Sequence, residues 1–173
     1  MTAHDPNAAN PLPPLPEGVA PLASVEIHDE SERVDLEELA RRAEEYIGSF
    51  RWCASVRQQY FAGGIGFVFA IYLFDVVPAR PNIPNRVWVF VGDVPLAYLS
   101  IEDAATPLEA FNKYVAGMRR WVEVARVSGS IDGRADLPPV NVPPTPEWAE
   151  ELGGRLDFLD ANFRELFEPG TKV

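Results

Sequence analysis

The sequence predicts an α+β domain, in which an antiparallel sheet of three or four strands (about residues 53–101) is packed by one N-terminal helix and two C-terminal helices. Three observations lead to this prediction. Val, Ile, Phe, Tyr and Trp are densest between residues 65 and 102, which is typical of strands. One amphipathic helical pattern precedes this stretch and two follow it. At 173 residues and 47% hydrophobic content, the chain can bury a single core.

The N-terminal part is expected to divide into a tail and a first helix. Residues 1–24 hold six of the 17 prolines and predict a disordered tail, which leaves 25–173 as a single domain. The helix is predicted to begin at Asp35, where Glu38 completes a capping spacing, and to end near Gly48.

The strands follow from composition and turn signals. A strand over 53–61 is predicted to end at a turn containing Gly63–Gly64. The next strand, 67–77, is apolar on both faces, so it is covered on both sides or is buried in a homodimer on one. Residues 86–91 and 95–101 predict a hairpin that turns at Gly92–Asp93.

Two helix starts share the same capping pattern, Thr106-Pro107 and Thr145-Pro146. The Pro-rich segment 130–146 between these helices is expected to cross the surface of the domain. The predicted buried stripe of the last helix consists of Trp148, Leu152, Leu156, Leu159, Phe163 and Leu166, joined by Phe158 and Phe167.

The residue inventory argues against most familiar catalytic chemistry. The only histidines are His4 and His28, both before the predicted core, and Cys53 is the single cysteine. Zinc sites built on His and Cys, and Ser-His-Asp or Cys-His catalysis, are therefore not expected. The sequence predicts no catalytic residue, no metal site and no cofactor, and it favours a non-enzymatic role.

Negative charge is segregated on the flanking segments. The net charge is −11, with −6 over residues 26–45, −5 over 147–168 and +2 over 51–135. Such a chain should repel nucleic acid and anionic membrane. The acidic faces either keep the protein soluble or dock on a basic partner protein. No export signal or transmembrane run is visible, so the expected location is the cytoplasm.

Five polar or aromatic residues near the strand ends are candidates for contact with a ligand or partner: Asp75, Arg80, Arg86, Asp93 and Tyr98. Asp75 follows a long apolar run, so it is either exposed at the strand end or paired with Arg80 or Arg86. Asp93 sits in a turn, where aspartate is favoured for backbone reasons alone. If these residues form a site, we expect it between the sheet and the Pro-rich segment 130–146.

Three segments carry a resemblance to a known group of proteins. These are 87–99 with its Gly-Asp-Val-Pro-Leu-Ala-Tyr hairpin sequence, Arg-Trp-Val at 120–122, and 143–152. Together they resemble a family of small uncharacterised bacterial proteins, over about residues 36–167. The resemblance implies a bacterial origin and transfers no catalytic residue.

Two functional hypotheses follow from the sequence. The first is a non-enzymatic bacterial protein of the immunity or adaptor type, which binds another protein through its acidic and aromatic surface, with a homodimer as a companion prediction. The alternative is a small-molecule-binding or carboxylate-based hydrolytic domain with a site at the strand ends.

Overall fold

The computed structural model describes residues 12–128, 131 and 137–168. Within these residues the chain forms one four-stranded antiparallel sheet and three α-helices, so the predicted α+β fold is confirmed. The elements are α1 (Glu30–Gly48), β1 (Cys53–Ile65), β2 (Phe69–Pro78), β3 (Arg86–Gly92), β4 (Ala97–Ser100), α2 (Pro107–Ser128) and α3 (Pro146–Asn162). Single 3-10 turns lie at Leu22–Ser24 and Arg164–Phe167.

The sheet is a simple meander in which each strand pairs with its sequence neighbours, in the order β1-β2-β3-β4. The predicted turn at Gly63–Gly64 is wrong, because β1 continues to Ile65 and the chain turns at 66–68. Gly64 pairs with Ala70, where a Cβ would come within 2.6 Å of the Phe69 carbonyl oxygen. The glycine therefore permits close approach of two strands rather than a turn.

Helices of the same chain cover both faces of the sheet. Phe69, Ile71 and Leu73 of β2 face α2 and α3, whereas Ala70 and Tyr72 face α1. The Tyr72 hydroxyl donates a hydrogen bond of 2.6 Å to the Leu36 carbonyl in α1. A second copy of the chain is not needed to bury β2, and the homodimer remains a prediction without that support.

Two of the three helix starts were predicted correctly. Thr106 and Thr145 cap α2 and α3, with each hydroxyl oxygen accepting from the backbone N–H three residues later. The predicted start of α1 at Asp35 is wrong, because the helix begins at Glu30 and is capped by Asp29. The first turn of α1 carries acidic side chains, which the helix dipole favours. It has no apolar residues at helical spacing, so the sequence pattern did not indicate that the helix begins there.

Residues 12–24 differ from the predicted disordered tail. Val19 is buried, and Ala20 exchanges two backbone hydrogen bonds with Phe61 at the outer edge of β1, of 3.1 and 2.8 Å. Leu15 packs against the core beneath α2 and α3. Proline removes backbone donors without preventing this extended docking. Residues 1–11 lie outside the described part of the chain.

Candidate functional site

Asp75 and Arg86 form a buried ion pair at one end of the sheet. They lie opposite each other on β2 and β3, and each residue is only 3% exposed. Arg86 donates from Nε to Oδ1 of Asp75 at 2.6 Å and from Nη2 to Oδ2 at 3.2 Å. The predicted strand-end pairing of Asp75 is therefore confirmed, with Arg86 as the partner.

The remaining hydrogen-bonding capacity of this pair is used inside the protein. The Tyr60 hydroxyl donates to Oδ2 of Asp75 at 3.3 Å. Arg86 Nη1 donates to the carbonyl oxygens of Pro13 at 2.8 Å and Pro14 at 3.4 Å. Burial, with the adjacent Asp75 charge, raises the pKa of Tyr60. The pair thus ties the N-terminal segment to the sheet.

Arg80 joins neither this pair nor any other predicted candidate. It lies exposed in the loop between β2 and β3. Within the described residues, its guanidinium makes no hydrogen bond or ion pair. Of the five candidates, Arg80 alone is isolated from the features described below.

Asp93 belongs to a tightly held turn between β3 and β4. Gly92 has a φ of 139°, and a Cβ there would collide with the Val68 carbonyl oxygen, which accepts from the Asp93 N–H at 2.9 Å. The Tyr114 hydroxyl donates to the Pro95 carbonyl at 2.7 Å. Glycine at 92 and these bonds fix the turn between the two helical layers.

Arg155 of α3 anchors the same turn from outside. Its Nη1 donates to the Asp93 carbonyl at 3.1 Å and lies 3.2 Å from Asp93 Oδ1. Its Nη2 pairs with Oε1 of Glu151 at 2.6 Å. One guanidinium therefore connects the middle of α3 to the turn of the hairpin.

A groove of about 550 Å³ opens beside this turn, and we call it the aromatic groove. The end of α1 forms one wall, the start of α3 another, and the Pro-rich segment before α3 a third. Its lining includes Tyr46, Phe50, Pro95, Leu96, Pro139, Val142, Trp148 and Glu151. Trp148 was predicted to be buried but is 39% exposed, so this prediction is wrong. An exposed indole at the rim of an apolar groove is typical of a contact surface.

Tyr98 lies in an aromatic cluster behind the groove. Its ring centroid is 5.0 Å from that of Phe50, 5.2 Å from that of Trp52 and 6.5 Å from that of Tyr46. Burial, and secondarily the neighbouring Tyr98, raise the pKa of Tyr46 to about 12. The Tyr46 phenol is therefore a neutral hydrogen-bond donor at physiological pH.

A second hollow of about 360 Å³ lies on the other side of Arg155. It is lined by Val68 and Phe158, and it shares Asp93, Val94, Glu151 and Arg155 with the aromatic groove. Phe158 is 51% exposed, against the prediction that it joins the buried stripe; Leu166, at 44%, is a further correction. Arg155 thus forms a polar ridge between two apolar depressions.

The two helices that form walls of the aromatic groove carry more acidic than basic side chains. Glu44 and Glu45 precede Tyr46 on α1, and Glu147 and Glu150 surround Trp148 on α3; all four are exposed. Glu45 pairs with Arg41, whereas Glu147 and Glu150 have no hydrogen-bond or ion-pair partner in the described part of the chain. The two negatively charged segments noted in the sequence therefore belong to helices that wall this groove, although Glu150 itself lines a separate hollow with Arg119 and Arg126.

The described residues hold neither a metal-ligand cluster nor an exposed thiol. They contain no group of three His, Cys, Asp or Glu side chains that could hold a metal ion. Cys53 is buried, and burial raises the pKa of its thiol. None of the described helices combines the length and the apolar character required to cross a membrane.

The structure thus divides the predicted site residues between two places. Asp75 and Arg86 form the internal ion pair, Asp93 lines the aromatic groove with Tyr98 packed behind it, and Arg80 belongs to neither place. The Pro-rich segment does form a wall of the groove, through Pro139 and Val142. Comparison with protein-family models, with curated proteins and with solved structures found no match.

Proposed function

We propose that the protein is a non-enzymatic binding module whose aromatic groove receives an apolar segment of a partner protein with basic flanking residues. One observation carries this proposal: an apolar groove rimmed by the exposed Trp148 lies between two acidic helices. Protein interfaces are built in this way, with aromatic anchors at the centre and charged residues around them. An immunity or adaptor role would use such a surface.

The charges at the groove support binding more than catalysis. The carboxylates that line it, Asp93 and Glu151, are both paired with Arg155. The hydrolytic alternative has less support, because the Asp75 carboxylate is buried and its oxygens already accept from Arg86 and Tyr60. Flanking acidic residues would instead speed association with a basic partner and make it sensitive to salt.

The proposal is tested by affinity capture from a lysate of the source organism, followed by reconstitution of each captured protein with the purified chain. Trp148→Ala should weaken the reconstituted complex at least 30-fold or so, as truncation of a central anchor does. Combined Glu147→Lys and Glu150→Lys should slow association and reduce its salt dependence. Calorimetry and stopped-flow fluorescence provide these values.

Phe67→Ala is the matched control, because Phe67 is an exposed aromatic residue (47%) outside the groove lining. This variant should bind like the unmodified chain. Failure to capture any protein, or complexes indifferent to both groove changes, would contradict the proposed function. Circular dichroism must show that every variant is folded.

A further inference from the structure

The chemistry of the aromatic groove indicates which kind of segment it receives. Three of its lining residues are aromatic, Tyr46, Phe50 and Trp148, and Pro95 and Pro139 add two proline rings. Aromatic-lined grooves are the surfaces on which proline-rich segments dock, whereas amphipathic helices insert apolar anchors into broader hydrophobic grooves. The ring content therefore favours an extended, proline-containing occupant.

Hydrogen-bond donors at the groove point in the same direction. Neither the Tyr46 hydroxyl nor the Trp148 indole N–H has a hydrogen-bond partner in the described part of the chain, and the Tyr98 hydroxyl behind them also has none. A polyproline II segment makes no internal hydrogen bonds, so its carbonyl oxygens need external donors. Groove and segment are complementary in this respect.

The protein already binds a proline segment of its own by this chemistry. At the other end of β3, Arg86 donates to the carbonyls of Pro13 and Pro14, while Leu15 packs against the core. A side-chain donor thus satisfies carbonyls that have no neighbouring N–H groups to pair with. The aromatic groove offers donors of the same kind, with no segment of the described chain bonded to them.

Charge determines what should flank the prolines. The helices α1 and α3, which form two walls of the groove, each carry more acidic than basic side chains, and this negative charge favours Lys or Arg in the bound segment. We propose that the occupant of the aromatic groove is a polyproline II segment with basic flanking residues, supplied by the partner protein. This inference rests on the proposed function and specifies the partner of the same groove.

The test is selection of groove-binding peptides from a phage-displayed library of random dodecapeptides, with the full chain as bait. Selected peptides should carry two or more prolines and at least one flanking Lys or Arg. As synthetic peptides, they should bind Trp148→Ala at least 30-fold or so more weakly. Tyr46→Phe, which removes only the hydroxyl, should weaken binding roughly threefold to tenfold.

The outcomes separate this inference from the proposed function. If selected peptides depend on Trp148 but lack proline, or bind equally well after Pro→Ala replacement, the polyproline inference is overturned and the binding function stands. If no selected peptide depends on Trp148, both are overturned. Phe67→Ala serves again as the control and should bind every selected peptide unchanged.

Discussion

The polar groups near the two ends of β3 differ in whether the protein itself satisfies their hydrogen bonds. At the start of β3, each of the three guanidinium nitrogens of Arg86 donates to Asp75 or to the Pro13–Pro14 carbonyls, and almost none of the pair is exposed. Beyond its end, Tyr46 and Trp148 border an open groove and keep donors without acceptors. The first arrangement holds the fold together and the second is available to a ligand. Satisfaction of hydrogen bonds, more than residue type, separates a structural polar site from a binding site.

The largest effect on stability is expected from breaking the internal pair. Asp75→Leu leaves Arg86 charged and buried without its partner, and should lower the free energy of unfolding by about 3–5 kcal/mol. The double variant Asp75→Leu/Arg86→Met removes both charges and should recover most of this loss. Urea denaturation measures both changes. A loss below about 1 kcal/mol for Asp75→Leu would show that the pair does not hold the sheet as described.

Removal of the N-terminal segment should have an intermediate effect. A chain lacking residues 1–16 has no Pro13 and Pro14 carbonyls for Arg86, and an unsatisfied buried donor costs about 1–3 kcal/mol. In the Asp75→Leu/Arg86→Met background, the same truncation should cost less, because the donor is already gone. Groove binding should be unchanged in both truncated chains. Equal costs in the two backgrounds would contradict the role assigned to Arg86.

The smallest effect on stability is expected at alkaline pH. It comes from Tyr46 in the aromatic groove and not from the Asp75–Arg86 pair. The pKa of Tyr46 is raised to about 12 from 10.0, so the unfolded chain loses this proton first. The contribution of the protonated Tyr46 phenol to the free energy of unfolding is fully present below pH 10 and is lost as the pH rises from 10 to 12. Tyr46→Phe should make the fall in stability smaller by about 1–2 kcal/mol at pH 12. Unfolding curves at pH 9–12, with absorbance titration of the phenols, check this. A fall of unchanged size in Tyr46→Phe would be inconsistent with a partly buried phenol at 46.

The fold was predictable because its signals are local. The caps at Thr106 and Thr145 and the dense β-branched and aromatic run over 69–91 each determine an element without reference to distant residues. The start of α1 was missed because its first turn has charge but no apolar period. The turn at Gly63–Gly64 was predicted wrongly because glycine also serves where two strands approach closely, as at Ala70.

The candidate site could be predicted only in part from the sequence, because it depends on which faces of the helices and strands come into contact. The sequence left Asp75 either exposed at the strand end or paired with Arg80 or Arg86, and only the strand register places Arg86 opposite it. Trp148 has the spacing of a core residue, yet it lies in the first turn of α3, beyond the packed part of the helix. The exposure of Trp148 depends on where the Pro-rich segment places the first turn of α3. Helical periodicity carries no information about that position.

The sequential order of the sheet has a consequence for how the chain is made. Each strand of β1-β2-β3-β4 pairs with the one just before it, so contacts within the sheet span short lengths of chain. Such topologies close small loops and fold quickly. During synthesis, every new strand finds its template already present, and α1 emerges before the face of the sheet that it covers. The face of the sheet that packs on α1 can therefore be covered early, whereas the face with Phe69, Ile71 and Leu73 stays uncovered until α2 and α3 have been made.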